Sequence, residues 1–135
     1  MSDIPEDLKY TKEHEWVRID GDEVVIGITD FAQNALTDVV WVEMDPDMEG
    51  STVAEMEAFC SVESVKSVSE IYAPIAGTIA ALNMDLEDAP ETINQSPYED
   101  GWIARFRPNN MADVEGLLDA AGYAAVIGEG ILLWS

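Results

Sequence analysis

Glu63-Ser64-Val65-Lys66-Ser67-Val68-Ser69-Glu70 places one lysine between two strand-like runs, in a chain that has only six Lys and Arg residues. Residues 59–65 are apolar or small at alternate positions, and residues 68–79 resume an extended pattern. The segment 64–67 therefore predicts a hairpin tip that displays Lys66 to solvent. An acylating enzyme needs such a lysine to attach the long arm of a carrier cofactor such as lipoamide or biotin, although a merely solubilising lysine fits the local pattern better.

The rest of the chain predicts a mainly β fold. Residues 15–19 and 23–28 alternate around a turn at 20–22, which indicates a β-hairpin. Asp30 followed by Gln33 resembles a capping box that opens a short helix through Leu36. Further strands are predicted at 39–44, 78–82 and 102–106. Many short strands with Gly and Pro turns indicate a small β-sandwich or a partly closed barrel that carries helices.

The second half of the chain is less regular. Residues 83–101, with two prolines and several Asn, Asp and Ser residues, predict a long irregular loop. Asn110 is expected to cap one helix, and 118–127 to form a second. We expect a single domain of residues 1–135, with a core of about 8–127 and a tail at 128–135. Trp16, Trp41 and Trp102 are expected to lie in the core.

Charge is the most unusual feature of the composition. The chain has 28 Asp and Glu residues, and its formal net charge is -22. The resulting negative field makes nucleic acid and anionic membrane surfaces poor partners, and it favours basic patches on partner enzymes. Adaptation to a salt-rich cytoplasm would explain the same acidity equally well.

The chain offers little from which to build an active site. It has one histidine, His14, and one cysteine, Cys60, so no internal disulfide can form, and Cys60 is expected to be a buried packing residue. We find no nucleophile elbow, phosphate loop or metal-spaced cluster. The first residues lack the features of a signal or transit peptide, and no apolar run approaches the about 20 residues of a membrane span. A cytoplasmic protein without its own catalysis is therefore expected.

Five separate motifs add a more specific signal. They are Tyr10-Thr11-Lys12-Glu13-His14-Glu15-Trp16-Val17, Gly27-Ile28-Thr29-Asp30-Phe31-Ala32-Gln33, Val62-Glu63-Ser64-Val65-Lys66-Ser67, Tyr72-Ala73-Pro74-Ile75, and Asn94-Gln95-Ser96-Pro97-Tyr98 with Gly101-Trp102. With these motifs, the chain resembles the glycine cleavage system H proteins from about Leu8 to Tyr123, and the motifs follow the order found in that family. This agreement reverses the preference for a solubilising Lys66.

The resemblance implies the lipoyl/biotinyl-carrier β-sandwich, also called a barrel-sandwich hybrid, with a short helix in the N-terminal third and helices at the C-terminus. Lys66 matches the position that carries covalent lipoate. The implied partners are glycine decarboxylase, a pyridoxal phosphate enzyme that loads an aminomethyl group, and the aminomethyltransferase, which passes it to tetrahydrofolate. Dihydrolipoyl dehydrogenase, an FAD enzyme, then reoxidises the arm, and a lipoate-attaching enzyme installs it. The chain would be a non-catalytic carrier, and we expect a monomer.

The resemblance also implies residues around the arm. Glu15, Glu70 and Asn34 match positions that contribute polar groups to a cleft for the docked arm, and Glu63 and Ser64 flank the modified lysine. A cationic aminomethyl group would need such carboxylates and protection from water. In so acidic a chain, each carboxylate could equally be an ordinary solvated side chain. His14 could support this cleft or simply occupy a turn.

The chain departs from the family pattern at three places. Thr37 stands where glycine is usual, and a Thr would be strained there if the backbone has a positive φ. Cys60 and Ala76 also replace usual residues. Three other functions stay open: a lipoyl relay to 2-oxo-acid dehydrogenases, an unmodified binding module, and a biotin carrier. The last is disfavoured because Val65 and Ser67, rather than methionines, flank Lys66.

Overall fold

The computed structural model describes the backbone of residues 3–134 and the side chains of residues 3–128. The strands are β1 (Lys9–Tyr10), β2 (Glu15–Asp20), β3 (Glu23–Ile28), β4 (Val39–Glu43), β5 (Thr52–Val53), β6 (Ala58–Ser64), β7 (Val68–Tyr72), β8 (Gly77–Leu82) and β9 (Ala104–Pro108). The helices are α1 (Asp30–Leu36), α2 (Asp85–Asp88), α3 (Thr92–Gln95), α4 (Ala112–Glu115) and α5 (Ala120–Trp134), with a 3₁₀ turn at Pro46–Met48.

The strands form two antiparallel sheets. The larger sheet has the order β1-β2-β3-β9-β8-β5, and the smaller has the order β4-β6-β7. The predicted hairpin of β2 and β3 is present, with Asp20 opposite Glu23. β6 and β7 form the second predicted hairpin, with Glu63 opposite Val68. The predicted mainly β sandwich is thus confirmed, and Lys66 lies at the tip of its smaller sheet.

The hydrophobic core has two parts. The main cluster contains the inward residues of both sheets, such as Val24, Ile26, Val62 and Phe106. A second cluster, with Tyr10, Trp16, Val25, Tyr123 and Ile127, lies where α5 packs over the β1-β2-β3 part of the larger sheet. Because successive strand residues point to opposite faces, Val24 joins the main cluster while Val25 joins the second. This part of the larger sheet is therefore apolar on both faces.

Several predicted elements differ from the observed ones. Residues 83–101 contain α2 and α3, whose single turns are too short to show helical periodicity. The last strand begins at Ala104 instead of residue 102. Asn110 accepts a hydrogen bond from the Ala112 N–H, but the residue that precedes α4 is Met111, so the predicted cap is one residue off, and α4 lasts only one turn. The helix predicted at 118–127 continues into the predicted tail at 128–135, since α5 runs from Ala120 to Trp134; Ser135 lies outside the described residues.

Three side chains also correct the predictions. Thr29, rather than Asp30, caps α1 by accepting from the Ala32 N–H, while the Gln33 amide still donates to Asp30. Trp41 was expected in the core, but it is 55% exposed. β4 has a register shift between residues 39 and 41, so the alternation that predicted an inward Trp41 is interrupted. Cys60 is only partly buried, although it packs against the main cluster.

Among the described residues, no helix is long and apolar enough to cross a membrane. The same residues contain no group of three or more His, Cys, Asp or Glu side chains arranged to hold a metal ion.

Candidate functional site

Ser64 organises the hairpin tip that carries Lys66. The Ser64 N–H donates to the Ser67 carbonyl at 2.8 Å. The buried Ser64 hydroxyl oxygen accepts from the N–H groups of Lys66 at 3.1 Å and Ser67 at 3.0 Å. One side chain thereby satisfies the turn's backbone from within. The Lys66 side chain is exposed, and among the described residues its amine makes no hydrogen bond or ion pair. The structure thus fits the predicted displayed lysine.

The tip is also held from outside by the segment between α1 and β4. The Val65 N–H donates to the Asp38 carbonyl at 3.1 Å. Asp38 follows Thr37, which has φ 65 and ψ -145. This is a conformation that is essentially reserved for glycine, so the strain predicted for Thr37 is confirmed. A strained residue therefore lies next to the carbonyl that positions the lysine turn.

Asn94 fixes this strained segment in place. Its Oδ1 accepts from the Val39 N–H at 2.8 Å, and its Nδ2 donates to the Thr37 carbonyl at 2.7 Å and to Gln33 at 2.9 Å. One amide from α3 thus joins the end of α1 to the start of β4. Asn94 belongs to one of the five sequence motifs, but the sequence predicted no role for its side chain. A single amide gives no periodic signal, so only the motif could have drawn attention to it.

Glu15 is only 1% exposed, which the sequence did not predict. The Thr11 hydroxyl donates to its Oε1 at 2.6 Å, and the N–H of Tyr72 donates to its Oε2 at a longer 3.4 Å. Glu15 therefore bridges β2 and the free edge of β7, at the end of β7 farthest from Lys66. Burial raises the pKa of Glu15 to about 7, while the hydrogen bonds from Thr11 and Tyr72 act in the opposite direction. This carboxyl can exchange a proton near neutral pH.

Thr11 has no role in the sequence-based prediction, yet it shapes the turn before Glu15. Its hydroxyl oxygen accepts from the N–H groups of Glu13 at 3.2 Å and Glu15 at 3.3 Å, in addition to donating to the Glu15 carboxyl. A threonine in this arrangement stabilises a local turn. Thr11 therefore sets both the backbone and the carboxyl orientation of Glu15.

Glu70 and Asn34 lie in different surroundings from Glu15. Glu70 is exposed and lines a shallow groove of about 240 Å³ together with Glu43, Asp45 and Cys60. Asn34 is exposed on α1. No hydrogen bond among the described residues joins either side chain to Glu15. Cys60 lines the groove with Glu70 and also lies near the Glu15 carboxyl, so the roles predicted for these three residues stay predictions.

His14 connects the turn before β2 to the C-terminal helix. Its Nδ1 lies 2.8 Å from the Tyr123 hydroxyl, which in turn lies 2.7 Å from the Thr29 hydroxyl. His14 has φ 72, and its ring packs on Phe31 with centroids 5.0 Å apart. Burial lowers the pKa of His14, which favours the neutral ring at pH 7. His14 thus links two elements beside Glu15, as well as occupying a turn.

Cys60 does not have the character of a nucleophile. Burial, with a smaller effect of the nearby Glu15 carboxylate, raises the pKa of the Cys60 thiol. A thiol with a raised pKa stays protonated at neutral pH and reacts slowly, because the thiolate is the reactive form. The geometry therefore supports the prediction that Cys60 is a packing residue.

Comparison with known proteins gives a consistent result. The family model "Glycine cleavage H-protein" matches residues 8–130. The chain is 53% identical to a glycine cleavage system H protein of Geobacillus thermodenitrificans over 126 residues, covering 93% of this chain and 98% of that protein. It is 54% identical to the H protein of Thermus thermophilus over 125 residues, with coverages of 93% and 96%.

A solved structure agrees with this relationship. The crystal structure of a glycine cleavage system H protein from Mycobacterium marinum superposes with a TM-score of 0.83 at 40% sequence identity. The match covers 93% of this chain and 99% of the solved one. By its sequence, its fold and its displayed hairpin lysine, the chain belongs to the glycine cleavage H-protein family.

Proposed function

We propose that the protein carries lipoate as an amide on Lys66 and serves as the lipoyl carrier of the glycine cleavage system. The observation that supports this most directly is the exposed Lys66 amine on a hairpin whose backbone is fixed by Ser64 and Asp38. Amide formation would remove the lysine charge and leave a long neutral arm. When bound, the dithiolane of such an arm supplies the sulfur that accepts, carries and releases an aminomethyl group.

The residues of this chain fit a tethered carrier. Ser64 and the Val65–Asp38 hydrogen bond hold the attachment point, so the freedom to move lies in the lysine side chain and in what is attached to it. Once a partner enzyme is bound, the tethered group enters its active site in an intramolecular step. The rate of that step depends on the length of the arm rather than on the affinity of the free group. Glu63, exposed on β6 three residues before Lys66, adds a carboxylate to the surface that visiting enzymes meet. The chain itself supplies no catalytic constellation to this proposal and acts as a substrate of its partners.

Glu15 is proposed to receive the cationic end of a loaded arm. Its carboxyl is buried, accepts two hydrogen bonds, and has further lone pairs for an ammonium group. A cation beside it would lower its pKa and favour the ionised form. Glu70 is proposed to contribute a second, exposed carboxylate along the path of the arm, and Asn34 a polar group on the flank of α1.

The proposed partners are glycine decarboxylase, the aminomethyltransferase, dihydrolipoyl dehydrogenase and a lipoate-attaching enzyme. Pyridoxal phosphate, tetrahydrofolate and FAD would belong to these partners. The net charge of -22 favours partner surfaces that are basic around their binding sites. The cytoplasmic location and the monomeric state expected from the sequence stay predictions.

Lys66→Arg tests the proposal, with Lys12→Arg as a matched control at another exposed lysine. We expect the parent and Lys12→Arg to gain the mass of a lipoyl group in a lipoylating host, with the modified peptide containing Lys66. Lys66→Arg should gain no lipoyl mass in the same host and should melt at the parent temperature. It should also lose all glycine–bicarbonate exchange with glycine decarboxylase. Exchange at the parent rate by Lys66→Arg would contradict the carrier proposal and favour an unmodified binding module. A biotin mass on Lys66 would contradict the cofactor assignment.

A further inference from the structure

The exposed hydrophobic side chains of this protein are concentrated around Lys66. Six large apolar residues are exposed among the described side chains, and four of them border the lysine hairpin. These four are Val40, Trp41, Val65 and Val68, here called the apolar collar. Trp41 is 55%, Val65 69% and Val68 62% exposed. Soluble proteins rarely leave a large aromatic and several β-branched residues together in solvent without a binding role.

The strand register brings the collar together. Trp41 lies opposite Glu63 on β6, and Glu63 lies opposite Val68 on β7. Directly opposed residues of antiparallel strands share a face of the sheet, so Trp41, Glu63 and Val68 form one row about 10 Å wide. Val65 extends this row to the tip, which the Val65–Asp38 hydrogen bond holds beside the start of β4. A single flat partner surface can contact the whole row.

Acidic residues border the collar. Glu43, Glu63, Glu70 and Asp38 are all exposed on or beside the same three strands. The ion pairs among the described residues involve only Arg105 and Arg107 with Asp20 and Glu23, all on the larger sheet. None of the carboxyl groups around the collar therefore has an ion-pair partner among the described residues. The complementary surface is an apolar pocket bordered by Arg or Lys side chains.

The position of the collar beside Lys66 indicates which of the partner enzymes it contacts. An enzyme that acts on the far end of an attached arm can stand off from the hairpin by the length of that arm. An enzyme that joins the arm to the protein must bring an acyl carbon to within about 3.5 Å of the lysine amine itself. Its surface then has to contact the residues immediately next to Lys66. Val65 and Val68 are such residues, and Trp41 lies in the same row.

We propose that the apolar collar is the docking surface for the enzyme that acylates Lys66, and that Trp41 is its main anchor. In the step that this docking serves, the neutral Lys66 amine attacks the carbonyl carbon of an activated acyl donor, a mixed anhydride or a thioester. The C–N bond forms, the bond to the donor's leaving group breaks with its electron pair, and the amine nitrogen gives up one proton, which neutralises the leaving group directly or through water. The proposal rests on the carrier function proposed above and adds which surface the acylating enzyme reads.

Trp41→Gln and Val68→Thr test the collar, and Ile19→Thr is the matched control. Ile19 is 50% exposed but lies on β2 of the larger sheet, away from the hairpin. The probe is a lipoate-attaching enzyme with an activated lipoyl donor, and the readout is kcat/KM for acylation of Lys66. We expect a decrease of about tenfold or more for Trp41→Gln, a smaller decrease of about threefold for Val68→Thr, and the parent value for Ile19→Thr. Unchanged melting temperatures would show that the folds are intact.

A second measurement uses protein that already carries the arm. Fully lipoylated Trp41→Gln should support glycine–bicarbonate exchange at the parent rate, because the acylating enzyme is no longer involved. Acylation of Trp41→Gln at the parent rate would overturn the collar proposal while leaving the carrier function intact. An equal loss of acylation and of exchange would also overturn it, since the surface would then serve every partner alike. If the parent protein itself is not acylated, the carrier function is contradicted, and the collar proposal that rests on it is contradicted as well.

Discussion

Trp16 and Trp41 both stand in alternating strand sequences, yet Trp16 is fully buried and Trp41 is exposed. Around Trp16 the larger sheet is covered on its outer face by α5 and by the loop that follows α3. The Trp16 indole N–H donates to the Pro97 carbonyl at 3.0 Å, and the Arg18 guanidinium lies 5.2 Å from the ring centre. Around Trp41 no described element covers the outer face of the smaller sheet.

The difference shows that one region of the sandwich is packed on both faces of its sheet, whereas the other leaves one face exposed. The covered region consists of β1, β2, β3 and α5. In this region the polar side chains of His14, Tyr123 and Thr29 form hydrogen bonds with one another. The uncovered region, built on β4, β6 and β7, leaves its lysine amine and its apolar collar in solvent. The first region therefore contributes stability, and the second is available for contacts with partners. Substitutions in the two regions should separate these two properties.

Gly27→Ala should break the covered region and have the largest effect on stability. A Cβ at residue 27 would lie 2.7 Å from the Trp16 indole, which the Pro97 hydrogen bond and complete burial prevent from moving away. Overpacking of this kind costs about 3 kcal/mol in the free energy of unfolding. Chemical denaturation of the parent and the variant measures it. Gly128→Ala is the control, since a Cβ there meets nothing within 4 Å on a helix, and it should be neutral or slightly stabilising.

A small effect of Gly27→Ala would show that the Trp16 face can rearrange, and that it is not rigidly packed. Acylation of Lys66 in the folded fraction of this variant should equal that of the parent. A loss of acylation beyond the loss of folded protein would contradict the separation of the two regions.

Glu15→Gln tests the boundary between the two regions, where β2 meets the edge of β7. The pKa of Glu15 is raised from its unfolded value of 4.5 to about 7 in the folded protein, so the native state binds the proton more tightly. This contribution to stability is complete below the unfolded pKa and is lost as the pH rises through the folded pKa. The parent should therefore lose about 2 kcal/mol relative to Glu15→Gln between about pH 5.5 and about pH 8, because one pKa unit corresponds to about 1.4 kcal/mol. Urea denaturation of both proteins at the two pH values measures the difference.

The difference between the two proteins isolates Glu15 from the many other acidic residues, which both share. A difference that does not change with pH would contradict the raised pKa. The same variant, loaded with the aminomethyl group, should release formaldehyde faster than the parent if Glu15 protects the cationic amine. Release at the parent rate would remove that role from Glu15 while leaving its pKa intact.

The sequence predicted the elements that depend on local pattern. The hairpin of β2 and β3 and the lysine hairpin follow from alternation and turn residues, and the Asp30–Gln33 pair predicted the presence of α1 although Thr29 is its cap. It failed at Trp41, because a register shift in β4 cannot be seen in the alternation of side chains. It also missed α2 and α3, because one turn of helix is too short to repeat.

The candidate site was predictable only in part, for a related reason. Lys66 and Ser64 belong to one local turn, so a short stretch of sequence contains both. The burial of Glu15 depends on Tyr72, which is 57 residues away in the chain, and the role of Asn94 depends on Gln33 and Val39. Such contacts form only when the sheets pack, so the pattern of side chains along the sequence does not predict them. The family resemblance pointed to Glu15, but the packing explains its raised pKa.

Thr37→Gly should give the smallest effect and the opposite sign. Thr37 has φ 65 and ψ -145, which costs a non-glycine residue about 1 to 3 kcal/mol. Glycine removes this strain, but it also gains freedom in the unfolded chain, worth about 0.5 to 1 kcal/mol. We therefore expect a net stabilisation of about 1 kcal/mol, measured by denaturation, whereas Thr52→Gly in the exposed part of β5 should be destabilising.

The position of Thr37 turns this small effect into a test of the uncovered region. Asn94 holds the Thr37 carbonyl, and the neighbouring Asp38 carbonyl holds the Val65 N–H of the lysine hairpin. If Asn94 fixes the segment, relief of the strain should leave the hydrogen exchange of the Val65 amide and the acylation of Lys66 unchanged. Faster exchange at Val65 with slower acylation would show instead that the strain itself presses Asp38 against the hairpin. In that case the threonine that destabilises the fold would be what keeps Lys66 presented to its acylating enzyme.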